Sequence, residues 1–285
     1  MRGKRYTFVN RLLLFLIFAF AIIIQDSYSQ SRLYNAVKND NYRKANRYLI
    51  KGDNPNGDGN PQFIPLMCAA EMNHYRLGVL LISKGANINI QNHIGFSPLM
   101  ECAIQRNNRL LKFLLQKNAN LELKANNGST ALMVAVTAGH VSTARILLDA
   151  GSKVNVFDNN GLTPLMNAVE NGRNIDMIRL LIEFKVDLEA TDKQGNTALM
   201  VHPYRNRIPT HQELINQGAN VNTRNHKGFT PLMKAVVEGN MEMVKLLVLK
   251  GADINASDNE GLSVLDYAYT QMDIRDYLLS VQNKK

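Results

Sequence analysis

The apolar positions after residue 30 follow one pattern that recurs about every 33 residues. Two leucine positions, about fifteen residues apart, mark each copy, and shorter apolar runs surround them with the spacing of amphipathic helices. The first position is held by Leu33, Leu66, Leu99, Leu132, Leu165, Leu199, Leu232 and Leu265. The second is held by Tyr48, Leu81, Leu114, Leu147, Leu181, Leu214 and Leu247. The pattern predicts two short helices per copy, and only neighbouring copies can bury their apolar faces.

Residues typical of helix ends recur with the same period. A Ser or Thr that can cap the first helix occurs as Ser97, Thr130, Thr163, Thr197 and Thr230. A Pro suited to the first helical position occurs as Pro65, Pro98, Pro164 and Pro231. A glycine suited to a left-handed helix end occurs as Gly52, Gly85, Gly151, Gly218 and Gly251. Asn118 and Lys185 stand where two further copies would carry that glycine.

One stretch, Asn225 to Asn255, shows the whole copy: NHKGFTPLMKAVVEGNMEMVKLLVLKGADIN. Another glycine, two residues before the capping position, recurs as Gly95, Gly128, Gly161, Gly195, Gly228 and Gly261, with spacings of 33, 33, 34, 33 and 33. A period of 33 with a T-P-L-x-x-A core resembles the ankyrin-repeat family, and the resemblance covers about nine tenths of the chain. It implies an all-α solenoid of about eight helix-turn-helix repeats, with two terminal caps and short finger turns between repeats.

Four segments follow from this reading. We expect a signal peptide in residues 1–29, an N-terminal cap repeat and linker in 30–61, ankyrin repeats in 62–257, and a C-terminal cap repeat and tail in 258–285.

The signal-peptide prediction depends on a basic start and an apolar block of 13 residues, 12–24. The block is short for a membrane span, which needs about 20 residues, but it fits the apolar region of a secretory signal. Ser27 and Ser29 supply the small residues for cleavage after Ser29. We therefore expect a bacterial periplasmic or secreted protein, with an uncleaved anchor in the inner membrane as the alternative.

The sixth repeat departs most from the pattern. His202 and Pro203 replace small apolar residues, and Pro209 opens the next helix. A proline inside a helix removes an amide donor and clashes with the preceding turn, so residues 201–207 are predicted to form an irregular exposed loop. This loop is either the decay of one repeat or a recognition loop or flexible joint.

Charge and chemistry narrow the function further. The net charge is +9, of which +3 lies in the first 29 residues, and no run of five like charges occurs, so no nucleic-acid partner is indicated. No phosphate loop, nucleophile elbow or metal motif is present, and the turn-rich linker 52–61 lacks the closing glutamate of a calcium loop. We expect no catalytic residue, no cofactor and no metal.

The methionine column Met67, Met100, Met133, Met166, Met200 and Met233 is interpreted as core packing rather than soft-metal binding.

The two cysteines occupy different positions of adjacent repeats. Cys102 replaces a buried alanine of the motif, whereas Cys68 aligns with Glu101 and is expected to be only partly covered. Whether they form a disulfide stays open at this point.

The resemblance implies that a partner contacts the fingers and the exposed side of the first helices. The residue after the finger glycine is often apolar, which suggests a contact stripe. The candidate residues are Phe63, Phe96, Leu162, Phe229 and Leu262, extended by Ile94 and Ile104, with Gln105, Thr137, Glu170, Lys227 and Glu238 as polar neighbours. The alternative is that these rings fold back onto adjacent fingers.

These observations predict a non-catalytic protein-protein interaction module or scaffold, exported from the cytoplasm. We expect a monomer that binds another protein, with no nucleic-acid partner and no membrane insertion after signal cleavage. The alternative is an inhibitor or immunity protein that blocks a specific enzyme or toxin.

Overall fold

The structure, a computed structural model, describes residues 32–171, 174–201 and 208–283. The expected signal peptide and the residues His202 and Pro203 lie outside the described residues. The predictions about export and about the sixth-repeat loop therefore stay predictions.

The described residues form fifteen α-helices and one 3₁₀ turn, paired as eight repeats. The only extended pairing in these ranges is an isolated antiparallel bridge between Ser257 and Ser263. The predicted all-α class and the helix-turn-helix repeats are confirmed. In chain order the helices are α1 Arg32–Lys38, α2 Tyr42–Ile50, α3 Pro65–Glu71, α4 Tyr75–Ser83, α5 Pro98–Ile104, α6 Asn108–Gln116, α7 Ala131–Thr137, α8 Val141–Asp149, α9 Pro164–Asn171, α10 Ile175–Glu183, the 3₁₀ turn Ala198–Met200, α11 Ile208–Asn216, α12 Pro231–Val237, α13 Met241–Leu249, α14 Val264–Tyr267 and α15 Met272–Gln282.

Contacts divide the chain into two units, residues 1–119 (unit 1) and residues 120–285 (unit 2). The described part of unit 1 holds the first three repeats, α1 to α6. Within it the first helices α1, α3 and α5 pack on one another in turn, and so do the second helices α2, α4 and α6. Unit 2 holds the other five repeats and packs by the same rule, with α7 on α9 and α12 on α14. Each unit thus builds its core from contacts between neighbouring repeats.

The leucine columns form these cores. In the first-helix column every leucine from Leu33 to Leu232 is buried, and in the second-helix column so is every leucine from Leu81 to Leu247. Two terminal members differ: Tyr48 and Leu265 are half-buried, and in the last repeat Val264 takes the fully buried position. The helix that carries Leu265, α14, is only four residues long.

The predicted caps form in four of five cases. Ser97, Thr130, Thr163 and Thr230 each accept a hydrogen bond from the backbone N–H three residues ahead, at 3.2–3.4 Å. The prediction is wrong for Thr197. Its hydroxyl is buried and has no hydrogen-bond partner among the described residues.

The 3₁₀ turn of the sixth repeat explains the lost cap. There the Met200 N–H bonds to the backbone carbonyl of Thr197 at 2.9 Å. This tighter turn uses the amide N–H that in the four capped repeats donates to the serine or threonine hydroxyl.

Asn118 and Lys185 do adopt the left-handed conformation predicted for the vacant glycine slots, with φ of 59° and 58°. The methionine column is buried throughout, as expected of a packing ladder.

Both thiols are free and buried, so the expectation of a partly covered Cys68 is wrong. The Cys68 side chain is covered because it packs into the core of the first two repeats, where Tyr34 lies against it. Burial raises the pKa of Cys68 to about 11 and raises the pKa of Cys102 as well. A thiol that stays protonated at neutral pH is a poor nucleophile.

Candidate functional site

Five of the fingers, the loops that each lead into the next first helix, are closed by one side chain. In the third repeat the Asn92 side-chain oxygen accepts hydrogen bonds from the N–H of Ile94 and of Phe96, at 3.1 and 2.9 Å, and the Asn92 N–H donates to the Phe96 carbonyl. Gly95 makes the turn possible because its φ is 77°. The same closure joins Asp158 to Leu162, Asp192 to Asn196, Asn225 to Phe229 and Asp258 to Leu262. The residue after the finger glycine is therefore held by its backbone.

Neighbouring fingers of unit 2 are also bonded to each other. Backbone N–H groups of Asn159, His226 and Asn259 donate to a carbonyl of the preceding finger at 2.9–3.0 Å. The approach is close: a Cβ on Gly228 would lie 2.5 Å from the Asn259 side-chain oxygen. The row of fingers in unit 2 is consequently a well-supported surface.

Two of the predicted apolar contact residues in unit 1 present their side chains to solvent. Ile94, at the finger of the third repeat, is 45% exposed, and Ile104, the last residue of α5, is 41% exposed. Phe96 is half-buried. Phe63 is 40% exposed, but its ring meets the Tyr34 ring edge-on at 5.3 Å.

Among the predicted residues of unit 2, Leu262 is 41% exposed, whereas Leu162 and Phe229 are half-buried. The Phe229 ring lies 4.9 Å from the Tyr267 ring of the next repeat. The fold-back alternative thus has direct support for Phe63 and Phe229. Ile94, Ile104 and Leu262 are instead 41–45% exposed.

The predicted polar neighbours are all on the surface. Gln105, in unit 1, is exposed and donates its side-chain amide to Glu101 at 3.0 Å. Burial raises the pKa of that Glu101 carboxyl, and the Gln105 amide opposes the effect. The predicted polar neighbours in unit 2 are also exposed: Thr137, Glu170, Lys227 and Glu238.

Sequence reasoning missed Val237, which is 48% exposed at the end of α12. It occupies the same position of its first helix as Ile104 and Thr137 do in theirs. The repeat period could have found it, because counting in steps of 33 or 34 residues from Ile104 reaches Val237 rather than Glu238.

The last finger is braced by a tyrosine and a carboxylate. The Tyr267 hydroxyl donates to Asp258 at 2.6 Å, and the N–H groups of Glu260 and Leu262 donate to the same carboxylate at 2.9 Å. These bonds lower the pKa of Asp258, and the carboxylate raises the pKa of Tyr267 to about 12. The bond to Asp258 also holds the Tyr267 ring in the position where Phe229 contacts it.

Nothing in the described ranges resembles a metal centre, since no three His, Cys, Asp or Glu side chains are grouped to hold an ion. No helix in those ranges is long and apolar enough to span a membrane.

Comparison with known families agrees with the repeat geometry. A family model described as ankyrin repeats (3 copies) matches residues 66–158 and 150–223, and one described as ankyrin repeats (many copies) matches residues 214–268.

Three similar proteins come from the mouse and from two viruses. The chain is 37% identical over 105 residues to mouse protein fem-1 homolog A-like, covering 36% of this chain and 16% of that protein. It is 30% identical over 106 residues to ankyrin repeat protein OPG189 of variola virus, covering 37% and 18%. It is 29% identical over 111 residues to the putative ankyrin repeat protein L371 of Acanthamoeba polyphaga mimivirus, covering 38% and 14%. The match thus spans less than a fifth of each of these relatives.

A solved structure, the human ASB11 ankyrin repeat domain, superposes with a TM-score of 0.66 at 27% identity. The superposition covers 75% of this chain and 96% of that domain.

Proposed function

Because the chain belongs to the ankyrin-repeat family, we propose that it is a non-catalytic module that binds another protein. Ankyrin repeats are generally protein-protein interaction modules. The observation that carries the proposal is the set of exposed apolar side chains Ile94, Ile104, Val237 and Leu262, which stand on fingers and helix ends. The finger backbones are already ordered by hydrogen bonds, so binding there costs little additional conformational entropy, and burying the apolar side chains is favourable.

The test is capture of a partner by chemical crosslinking in the native host, followed by mass spectrometry. The full chain is compared with an Ile94→Ser and Ile104→Ser double variant and with a control variant, Ile50→Ser. Ile50 is more exposed than either residue and ends α2, a second helix. We expect the double variant to lose the partner about tenfold or more, and the control to retain it.

Equal capture by all three proteins would contradict a binding surface at Ile94 and Ile104. A large drop in the melting temperature of the double variant would assign Ile94 and Ile104 to folding instead. If the captured partner is an enzyme or toxin whose activity falls on binding, the module acts as an inhibitor or immunity protein.

We also propose that the module acts outside the cytoplasm as a monomer, in the periplasm or secreted. The support is the 13-residue apolar block followed by Ser27 and Ser29. The relatives named above are murine and viral and lend no support to a bacterial origin. N-terminal sequencing of the protein from its host should begin at Gln30. A form with intact Met1 in the membrane fraction would indicate an anchor, and one in the cytosol would contradict export.

A further inference from the structure

Positive charge is concentrated in unit 1. Residues 32–119 carry twelve Lys and Arg and five Asp and Glu, a net charge of +7. Residues 120–285 carry seventeen and eighteen, a net charge of −1. A surface of unit 1 that binds through charge therefore favours an anionic partner.

Part of this charge forms a column on the second helices. Arg43, Arg76 and Arg109 are each the second residue of α2, α4 and α6, and all three are exposed. In unit 2 the second residues of the second helices are Ser142, Asp176, Pro209, Glu242 and Asp273. The arginine column is thus a property of unit 1 rather than of the repeat.

Two of these arginines line a groove between α2 and α4. Its volume is about 510 Å³, and its walls are Tyr42, Arg43, Tyr75, Arg76 and Val79. We name this surface the arginine-tyrosine groove. Its two tyrosines and its valine supply apolar area beside the charges, which suits a ligand with both acidic and apolar groups.

Side chains of α6 brace one wall of the groove. The Arg109 guanidinium lies over the Tyr75 ring, 4.0 Å from its centroid, and the Phe113 ring meets Tyr75 edge-on at 6.1 Å. An arginine stacked in this way loses side-chain freedom but keeps its in-plane N–H donors. The third arginine of the column is therefore held beside the groove.

The three arginines have no carboxylate partner among the described residues, whereas Arg32, Arg145 and Arg179 each form an ion pair. A guanidinium presents a planar fork of donors that binds a carboxylate through two parallel hydrogen bonds. The groove thus offers such forks to a ligand from outside the chain.

We propose that the arginine-tyrosine groove binds an extended acidic segment of a partner protein. Packed helices lie about 8–10 Å apart, and in the extended polyproline II conformation every third side chain returns to the same face after about 9 Å. Carboxylates at every third residue of the segment would meet Arg43, Arg76 and Arg109 in turn. This surface lies on second helices, so it is separate from the fingers and first-helix ends proposed above.

The geometry favours a peptide over other anions. Two residues of the groove, Tyr75 and Val79, are half-buried, so a single chain can reach them, whereas a flat lipid surface reaches only what protrudes. Single-stranded nucleic acid binds largely by stacking bases on open aromatic faces, and one of the two rings of the groove, Tyr75, already carries the Arg109 guanidinium over its face.

The test uses two fluorescein-labelled synthetic peptides of one composition. In the first, three glutamates are separated by two neutral residues each, and in the second the three glutamates are contiguous. Binding to the full chain is measured by fluorescence anisotropy at ionic strengths of about 0.05 and 0.15 M. We expect the spaced peptide to bind more tightly, and its affinity to fall at the higher salt.

The variants separate the groove from general electrostatics. Arg43→Gln with Arg76→Gln should weaken the spaced peptide about tenfold. Lys51→Gln with Lys84→Gln removes the same charge at the opposite ends of α2 and α4 and should change the affinity less than about twofold. Arg76→Lys keeps the charge without the planar fork and should fall between the two. All of these side chains are exposed, so the melting temperatures should stay close to that of the natural chain.

Three outcomes would overturn the proposal. The first is no binding of either peptide, and the second is an equal loss in the two double variants. The third is binding of phosphatidylserine vesicles or of a single-stranded oligonucleotide that depends on Arg43 and Arg76 while the peptides do not bind. That result would assign the surface to a membrane or to a nucleic acid. Capture at the fingers can fail or succeed independently, because Ile94 and Ile104 are not part of this groove.

Discussion

Two helix ends carry a side chain where most repeats carry glycine. One of these residues is Lys185, which follows α10 and adopts φ of 58°. In the next repeat a glycine, Gly218, takes the corresponding place after α11 with φ of 97°. A left-handed conformation costs a residue with a Cβ roughly 1–2 kcal/mol, and part of that cost is offset because a side chain restricts the unfolded chain.

We expect Lys185→Gly to raise the free energy of unfolding by about 0.5–1 kcal/mol. The matched change in the other direction is Gly218→Ala. A Cβ there would meet no atom within 4 Å, so its expected loss of about 0.5–1 kcal/mol is conformational strain less the same offset in the unfolded chain. Urea unfolding of both variants measures the two effects, and a loss of stability in Lys185→Gly would show that the lysine makes compensating contacts.

The bond between Tyr267 and Asp258 makes stability depend on pH. The pKa of Asp258 is lowered in the folded state, so its contribution is present above the unfolded value of about 4 and is lost as the pH falls through the folded value. The pKa of Tyr267 is raised to about 12, so its contribution is present below its unfolded value of about 10 and is lost as the pH rises toward 12. The pair should stabilise most between about pH 4 and pH 10.

We therefore expect Tyr267→Phe to lower the melting temperature at pH 7, because the phenyl ring cannot donate to Asp258. The difference from the natural chain should shrink as the pH falls below about 4, because protonation of Asp258 weakens the bond that the tyrosine hydroxyl donates. Thermal unfolding monitored by circular dichroism across this range is the measurement. A difference that stays constant with pH would mean that Tyr267 acts only by packing on Phe229.

At the scale of the element, the sixth repeat differs from its neighbours at one threonine. The Thr197 hydroxyl is buried without a partner among the described residues, whereas the Thr230 hydroxyl caps α12 through the Met233 N–H at 3.3 Å. A buried unsatisfied polar group is costly, by about 1–3 kcal/mol, and a lost helix cap costs about 1 kcal/mol.

Valine has nearly the shape of threonine without the hydroxyl, so the same substitution should act with opposite sign at these two positions. We expect Thr197→Val to leave the free energy of unfolding unchanged or raise it by about 1 kcal/mol. Thr230→Val should lower it by about 1 kcal/mol. Chemical denaturation compares the two, and an equal loss at both would show that Thr197 has a hydrogen-bond partner in solution.

This pair also shows why helix ends were predictable only in part. The Ser or Thr before Pro-Leu or Ala-Leu identifies the start of a first helix, because a hydroxyl at that place satisfies an otherwise free amide. Whether the amide is free depends on how the backbone continues, and in the sixth repeat it does not continue as an α-helix. A proline a few residues later signals the break but not the tighter turn that replaces the cap.

The candidate site was predicted less well than the fold, since its members depend on residues outside the repeat motif. The rings of Phe63 and Phe229 contact Tyr34 and Tyr267, which no motif position requires. A run of like charges consists of adjacent residues, whereas the members of the arginine column stand 33 residues apart, so charge runs do not predict the column.

At the scale of the whole molecule, each repeat is stabilised by its neighbours. In unit 2, Leu165 is fully buried in α9, a helix that packs on α7 and on the 3₁₀ turn of the sixth repeat. Truncation of such a leucine removes apolar burial and leaves a cavity, at a cost of about 2–5 kcal/mol. In a repeat array the stability is close to a sum of single-repeat and nearest-neighbour contributions, so the damage should be local.

We expect Leu165→Ala to speed hydrogen exchange most in α9 and α10, less in α7 and α8, and least in α12 and α13, which lie two repeats further along the chain. Hydrogen exchange read by mass spectrometry at the level of single helices is the measurement, and Glu170→Ala, an exposed change in the same helix, is the control. A uniform increase across α7 to α13 would mean that unit 2 unfolds as one cooperative body. In that case the sixth repeat, with its single 3₁₀ turn, would transmit stability as well as a complete repeat does.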